Sequence, residues 1–421
     1  MTEKFLQFIW QFQYFNKKEL LTESGEELHI IRQGTWNHNQ GPDFLEASIR
    51  IGPVILVGNI ELHIKSSDWQ KHNHSTDANY SNIILHVVWE HDAEIKEIQF
   101  PTLVLQHRIA KILLQQYAAI MNDPSPIPCK NFLPALNNIG WLSWKERLAA
   151  ERLETRSKRI LLLYEESQHH WEETFWWLLA ANFGIKVNTA LFEEVAKSIP
   201  LTILAKHRSR IQQLEALLLG QANLLEKDFS EDYPIMLQKE YRFLQKKYHL
   251  QTVNASPFFL RMRPANFPTI RLAQLAILVN DSLHLFSKIK EMRRADEVKE
   301  LFNVTCNDYW HYHYNFDEET AYSPKHLGSQ MADNILINTV IPVLFAYGSY
   351  TKEEAYKDKA IGWMAEIAPE KNTVISTWKQ LGIPAVNALD SQSLIQLKNE
   401  YCNNKRCLDC AVGNKVMKGV K

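Results

Sequence analysis

The spacing of apolar positions changes part-way along the chain. Between residues 20 and 106 they come in short β-branched runs, clearest at 27–31, 54–57 and 83–89. Turn signals separate the runs at Ser24-Gly25, Gly41-Pro42 and Gly52-Pro53, so the stretch reads as strands. Helices are predicted on either side, over 3–18 and 108–121. Residues 1–121 are therefore expected to form an α+β domain, a mixed sheet flanked by helices. Pro124, Pro126 and Pro128 cannot continue a helix and mark 122–138 as a linker. Beyond it the apolar positions recur at helical spacing, over 149–165, 201–225, 233–248 and 270–290. The expected layout is a mainly α-helical region over 139–400 and a tail over 401–421.

Composition narrows the class. Of 421 residues, 45% are hydrophobic and 23% charged, enough for a large core and against wholesale disorder. The formal net charge of −1 excludes binding nucleic acid by bulk charge alone, so any basic track has to be local. One such place is the end of the chain, where residues 398–421 carry 6 Lys/Arg against 2 Asp/Glu. The N-terminus lacks a cationic stretch followed by an apolar one, and the five cysteines are odd in number. Both features point to a reducing cytoplasm and to metal-binding or free thiols rather than disulfides. The longest apolar run, 335–347, is interrupted by Asn338, Thr339 and Pro342 and reads as too short to cross a bilayer.

Chemistry concentrates in Gly41-Pro42-Asp43-Phe44 and Asn59-Ile60-Glu61-Leu62-His63-Ile64-Lys65. Alternate residues of a strand share a face, which groups Glu61, His63 and Lys65 and turns Ile60, Leu62 and Ile64 to the core. Runs 45–51 and 54–65 read as a hairpin turning near Gly52-Pro53. With a three-residue loop, Ile51 to Pro53, Asp43 falls opposite Glu61. With a two-residue loop it lands on the wrong face, because a one-residue slip reverses every side chain. In the favourable register two carboxylates converge beside an imidazole and an amine. Such oxygen ligands suit Mg²⁺ or Mn²⁺, and a metal held there activates water and offsets charge on a phosphodiester. The plainer alternative is that the polar row is the wet side of a sheet.

At these residues the chain resembles the PD-(D/E)xK nuclease superfamily, over roughly 20–110. Pro42-Asp43 matches the first half of the motif. Glu61-Leu62-His63 matches the second, with His where the family has Lys. The resemblance implies a restriction-endonuclease-like fold, Mg²⁺ or Mn²⁺ held by Asp43 and Glu61, and His63 or Lys65 handling the attacking water on a nucleic-acid substrate. The whole chain also resembles a family of uncharacterised bacterial proteins, through Gly41-Pro42-Asp43-Phe44, Ser66-Ser67-Asp68-Trp69, Arg263-Pro264-Ala265-Asn266-Phe267-Pro268 and Arg406-Cys407-Leu408-Asp409-Cys410. Two rival functions stay open: a non-catalytic scaffold or nucleic-acid-binding protein with a degenerate nuclease fold, and a mononuclear His/carboxylate hydrolase. The second would use His63 with His72 or His74, although a His-rich loop is more simply a polar surface loop. His86, inside an apolar strand, reads as a core histidine.

Further along, Cys402, Cys407 and Cys410 give C-x4-C-x2-C, a knuckle suited to Zn²⁺ or an iron–sulfur cluster. The fourth ligand would be Cys129, Cys306 or a histidine; otherwise these are reduced thiols. Arg261, Arg263, Asn266 and Arg271 surround two prolines in a loop that leads into a helix, a place where phosphate would be gripped, or where arginines cap helices and pair with acids. Lys288, Lys290, Arg293 and Arg294 read as a solvated helix face, and Trp171, Trp176 and Trp177 as core. The run from Tyr309 to Tyr314 reads as core plus edge rather than a base-stacking surface. No phosphate loop, dinucleotide fingerprint, serine elbow or zinc-protease helix is present in the sequence.

Overall fold

The computed structural model describes residues 1–419 except 38, 73–76, 96–99, 134 and 283. The chain divides into two units, Met1–Ile139 with Lys398–Lys421, and Gly140–Leu397.

The first unit opens with helix α1 (Glu3–Gln11), capped by the Thr2 hydroxyl, which accepts from the Phe5 N–H. Phe5, Leu6, Phe8, Ile9 and Trp10 are buried. The helix ends sooner than the expected 3–18 because Gln13 takes a left-handed φ of 51°. Six strands follow: β1 (Leu28–Arg32), β2 (Thr35–Trp36), β3 (Phe44–Ile51), β4 (Val54–Lys65), β5 (Ile83–Glu90) and β6 (Thr102–Val104). They make one mixed sheet in the order β1-β3-β4-β5-β6, with β2 paired to β3. β3 is antiparallel to both neighbours, whereas β4, β5 and β6 run parallel. Two helices lie in the connections and after the sheet, α2 (Asp68–Lys71) and α3 (Lys111–Asn122).

Burial explains the strand sequences. All six residues from Ile83 to Val88 are buried, so β5 reads as a nearly continuous apolar run, as a parallel strand covered on both faces should. β4 differs between its ends. Val54, Ile55 and Val57 are exposed near the hairpin tip, while Ile60, Glu61, Leu62 and His63 are buried. Glu61 and His63 of the polar row are thus inside the unit, not on a wet face, while Lys65 at its end is half-exposed. The sequence set 401–421 apart as a tail, but the segment packs within this unit. Its helix Ala411–Lys418 contacts α3, Lys4 pairs with Asp409 at 2.9 Å, and Lys418 lies over the Phe12 ring at 4.2 Å.

The second unit is helical. The helix expected over 201–225 is two, Leu201–Lys206 and Ile211–Gln221. Between them His207 bonds the Gln213 side chain at 2.6 Å and the Tyr248 hydroxyl at 2.9 Å. The helix expected over 270–290 is likewise divided, into Pro268–Asp281 and Leu285–Glu291. The apolar run thought to be interrupted lies in one helical stretch, Ser329–Thr351, long and apolar enough to cross a membrane by length and composition. Its most apolar window is 72% buried, as befits the core helix of this unit. It passes Pro342 because the turn before it, Leu336–Val340, is widened to π geometry, which relieves the clash of a proline ring with the preceding carbonyl. Trp176 and Trp177 are core residues. Trp310 is buried too, and Tyr309 stacks between Tyr233 and His313 at 4.5 and 4.0 Å. The Tyr309–Tyr314 run therefore faces inward to a large degree.

Candidate functional site

The hairpin that carries the acids turns on two residues. Ile51 pairs with Val54, leaving Gly52 and Pro53 as the loop. Gly52 has φ of 52° and Pro53 is locked negative by its ring, the sign pattern of a tight hairpin turn. Of the two loop lengths left open by the sequence, the structure has the two-residue one, which in unbroken register would turn Asp43 away from Glu61. A β-bulge restores the relationship. Ala47 pairs with Gly58, but Phe44 pairs with Ile60, so β3 holds one extra residue in this interval. Glu46 takes the left-handed φ of 55°, and its N–H donates to the Asn59 side chain at 3.3 Å. Beyond the bulge Asp43 stands across from Glu61.

Backbone hydrogen bonds fix the pair. The Asp43 N–H donates to Glu61 Oε2 at 3.0 Å, and the Leu62 N–H donates to Asp43 Oδ2 at 3.0 Å. From α1, Gln7 Nε2 donates to Asp43 Oδ1 at 2.7 Å. Burial raises the pKa of both carboxyls above the usual range. The Asp43 charge adds to this at Glu61, and the Glu3 carboxylate adds at both. Glu3 itself is raised, first by its own burial. A divalent cation would offset this concentration of acid directly.

His63 is fully buried and links three groups. Its Nδ1 lies 2.9 Å from His86 Nε2, and its Nε2 lies 3.2 Å from His72 Nδ1 and 3.7 Å from Glu61 Oε1. The Trp69 ring packs edge-on against His63 and His86, at 6.3 and 5.4 Å between centroids. Lys65 continues the polar row, but its ammonium is directed to Asp92 at 3.8 Å. Asp92 is held well below the usual carboxylate range, chiefly by the Ser67 N–H. A cleft of about 310 Å³ lined by Ser66, His91 and Phe100 adjoins the end of β4, but Asp43, Glu61 and His63 are not among its walls.

The structure brings Asp43, Glu61 and His63 near one another and adds neighbours that the sequence undervalued. His72, expected to be a surface-loop residue, reaches His63. His86 is a core residue as expected, yet it is also hydrogen-bonded to His63. His74 lies outside the described residues. Glu3 and Gln7 were missed; their signal was two polar residues four apart, and so on one face of a helix whose Phe5, Leu6, Phe8, Ile9 and Trp10 are buried. Among the described residues, no three His, Cys, Asp or Glu side chains already stand at ion-holding geometry.

The other candidates separate into two places. Arg271 is buried and donates to Asn266 Oδ1 at 2.6 Å and Gln274 Oε1 at 2.9 Å. It braces its own loop, and Arg261 and Arg263 are exposed. Cys402, Cys407 and Cys410 line one cavity with Cys129. All four are reduced and buried, and burial pushes the thiols of Cys407 and Cys410 up to about 11, that of Cys129 to about 12, and that of Cys402 higher still. Cys306 belongs to the helical unit, where its thiol faces Ile270 O at 3.8 Å.

No curated protein and no solved structure matches the chain. A family model does, over residues 3–373. That span includes Gly41–Phe44, Ser66–Trp69 and Arg263–Pro268; Arg406–Cys410 lies beyond it. On this match, covering nearly the whole chain, the protein belongs to the family described as Protein of unknown function (DUF2851).

Proposed function

We propose that the N-terminal unit is a metal-dependent phosphodiesterase acting on nucleic acid, with Asp43 and Glu61 as the ligands of Mg²⁺ or Mn²⁺. The observation that carries this reading is the bulged register, which sets the half-buried Asp43 carboxyl against the buried Glu61 carboxyl with an imidazole two residues on. A cation there would polarise the phosphate and lower the pKa of water. His63 supplies the base. When its Nδ1–H donates to His86, the Nε2 lone pair faces Glu61 and His72. The attacking water loses a proton to that nitrogen as its oxygen bonds to phosphorus, and the departing sugar oxygen takes a proton from solvent. His72, exposed and 3.2 Å away, offers the proton a route out. This reading places His63 in the role that the nuclease resemblance gives to Lys.

The 3.2 and 3.7 Å separations around His63 Nε2 also favour a second reading, a transition-metal centre on Glu61, His63 and His72. One experiment addresses both. Full-length protein is incubated with single- and double-stranded DNA and with RNA, in Mg²⁺, Mn²⁺ or Zn²⁺, beside Asp43→Asn, Glu61→Gln and His72→Ala. The nuclease reading expects Mg²⁺- or Mn²⁺-stimulated cleavage that falls at least ~100-fold in both acid variants while folding, read by circular dichroism, is kept. Cleavage retained in both variants overturns it. Cleavage that needs Zn²⁺ and is lost in His72→Ala selects the second reading. Metal binding with no cleavage of any substrate selects the scaffold.

A further inference from the structure

Four of the five cysteines converge in the N-terminal unit, although Cys129 lies far in sequence from the other three. Cys129 precedes the short turn Lys130–Phe132, Cys402 ends the wide turn Leu397–Cys402, and Cys407 and Cys410 flank the turn into helix Ala411–Lys418. All four line one cavity with Pro128, Tyr401 and Arg406. We propose that Cys129, Cys402, Cys407 and Cys410 form a four-thiolate metal centre, holding zinc or an iron–sulfur cluster, that fastens the end of the chain to the N-terminal unit.

Three features support a ligand role over a chance gathering of small apolar side chains. The first is local geometry. Cys410 stands at the N-cap position of the last helix, Ala411–Lys418, where the positive end of the helix dipole favours a thiolate. The second is close packing at Gly413. A Cβ there would come within 2.1 Å of the Cys407 carbonyl oxygen, so only glycine lets the helix start fold tightly over the Cys407–Cys410 turn. The third is charge. Four thiolates around a divalent ion or a doubly charged cluster leave a net negative centre, and Lys398 and Lys405 place their fields on Cys402 and Cys407. The basic excess of 398–421 then has a local purpose. The cavity that the four cysteines line is small, about 10 Å³, which suits a single ion held directly by the sulfurs better than a multinuclear cluster.

The test uses the full chain purified without oxygen, analysed for iron, acid-labile sulfide and zinc, with its visible absorption recorded. The expected result is either about one zinc per chain or two to about four iron with matching sulfide and absorption near ~400 nm. A mercurial titration of the unaltered protein should release that metal as the thiols react, and this needs no variant to fold. Cys129→Ser should lose metal as fully as the Cys407→Ser/Cys410→Ser pair, whereas Cys306→Ser should keep it. Absence of iron and zinc, with no uptake on reconstitution with Zn²⁺ or with Fe²⁺ and sulfide, overturns the centre. So does metal content unchanged in Cys129→Ser. Neither outcome depends on the carboxylate site.

Discussion

The backbone N–H of Asp43 donates to the Glu61 carboxylate at 3.0 Å, although counting back from the hairpin turn would set the two residues on opposite faces of the sheet. The single extra residue at the Glu46 bulge makes the difference. It converts a polar row on one strand into a two-strand acid pair, Glu61 buried and Asp43 half-buried.

The bulge therefore controls the site from outside it. Glu46 is exposed, and its 3.6 Å pairing with Arg32 joins two well-exposed side chains, worth little. Replacing it with glycine should keep the left-handed φ and preserve the register. Glu46→Val places a β-branched residue where φ is 55°, and should cost ~1–3 kcal/mol or drive the strand to the other register. Urea unfolding with Mn²⁺ binding by calorimetry checks this: Glu46→Val should lose affinity and Glu46→Gly should not.

Ligand binding should also appear as stability. A cation that binds only the folded protein adds about 2.7 kcal/mol at a hundredfold excess over its Kd. Wild-type protein should gain thermal stability on adding Mn²⁺ after chelator treatment, and Asp43→Asn and Glu61→Gln should gain much less. Equal gains in all three proteins would place the metal elsewhere.

Glu215 gives the helical unit a pH dependence. It accepts from the Tyr233 hydroxyl at 2.6 Å, the Asn307 side chain at 2.6 Å and the Trp310 indole at 3.1 Å, and burial pushes its pKa up to about 7 from 4.5. The folded chain keeps this proton where the unfolded chain has lost it. Its contribution is fully present below pH 4.5 and is lost as pH rises through about 7, with a slope of up to ~1.4 kcal/mol per pH unit in that window. Denaturant midpoints between pH 4.5 and 7.5 should decline more steeply in wild type than in Glu215→Gln.

Gly413 is the sensitive point of the C-terminal segment. A methyl group 2.1 Å from the Cys407 carbonyl oxygen forces the turn open, so Gly413→Ala should cost ~1–3 kcal/mol. It should also raise the reactivity of Cys407 and Cys410 toward a thiol reagent in the folded protein. Unchanged reactivity and melting would mean that the turn is not packed as described.

Much of this was legible in the sequence because it is local. The β-branched runs, the Gly-Pro turn, the helical spacing after the proline-rich stretch and the shared face of Glu61 and His63 each follow from a few adjacent residues. Helix ends were less legible: Gln13 stops α1 by its backbone angle, and Pro342 is tolerated because the preceding turn widens. Tertiary structure alone decided the relationships between distant segments. An unbulged pairing and a bulged one have the same alternating pattern, and the choice depends on the Asn59 side chain meeting the Glu46 N–H across the sheet. His72 joins His63 only once the crossover after β4 folds back. Cys129 meets the last three cysteines only once the end of the chain packs against α3. Local pattern determines which residues can be buried; which of them meet is set by long-range pairing, whose energy exists only when both partners are in place.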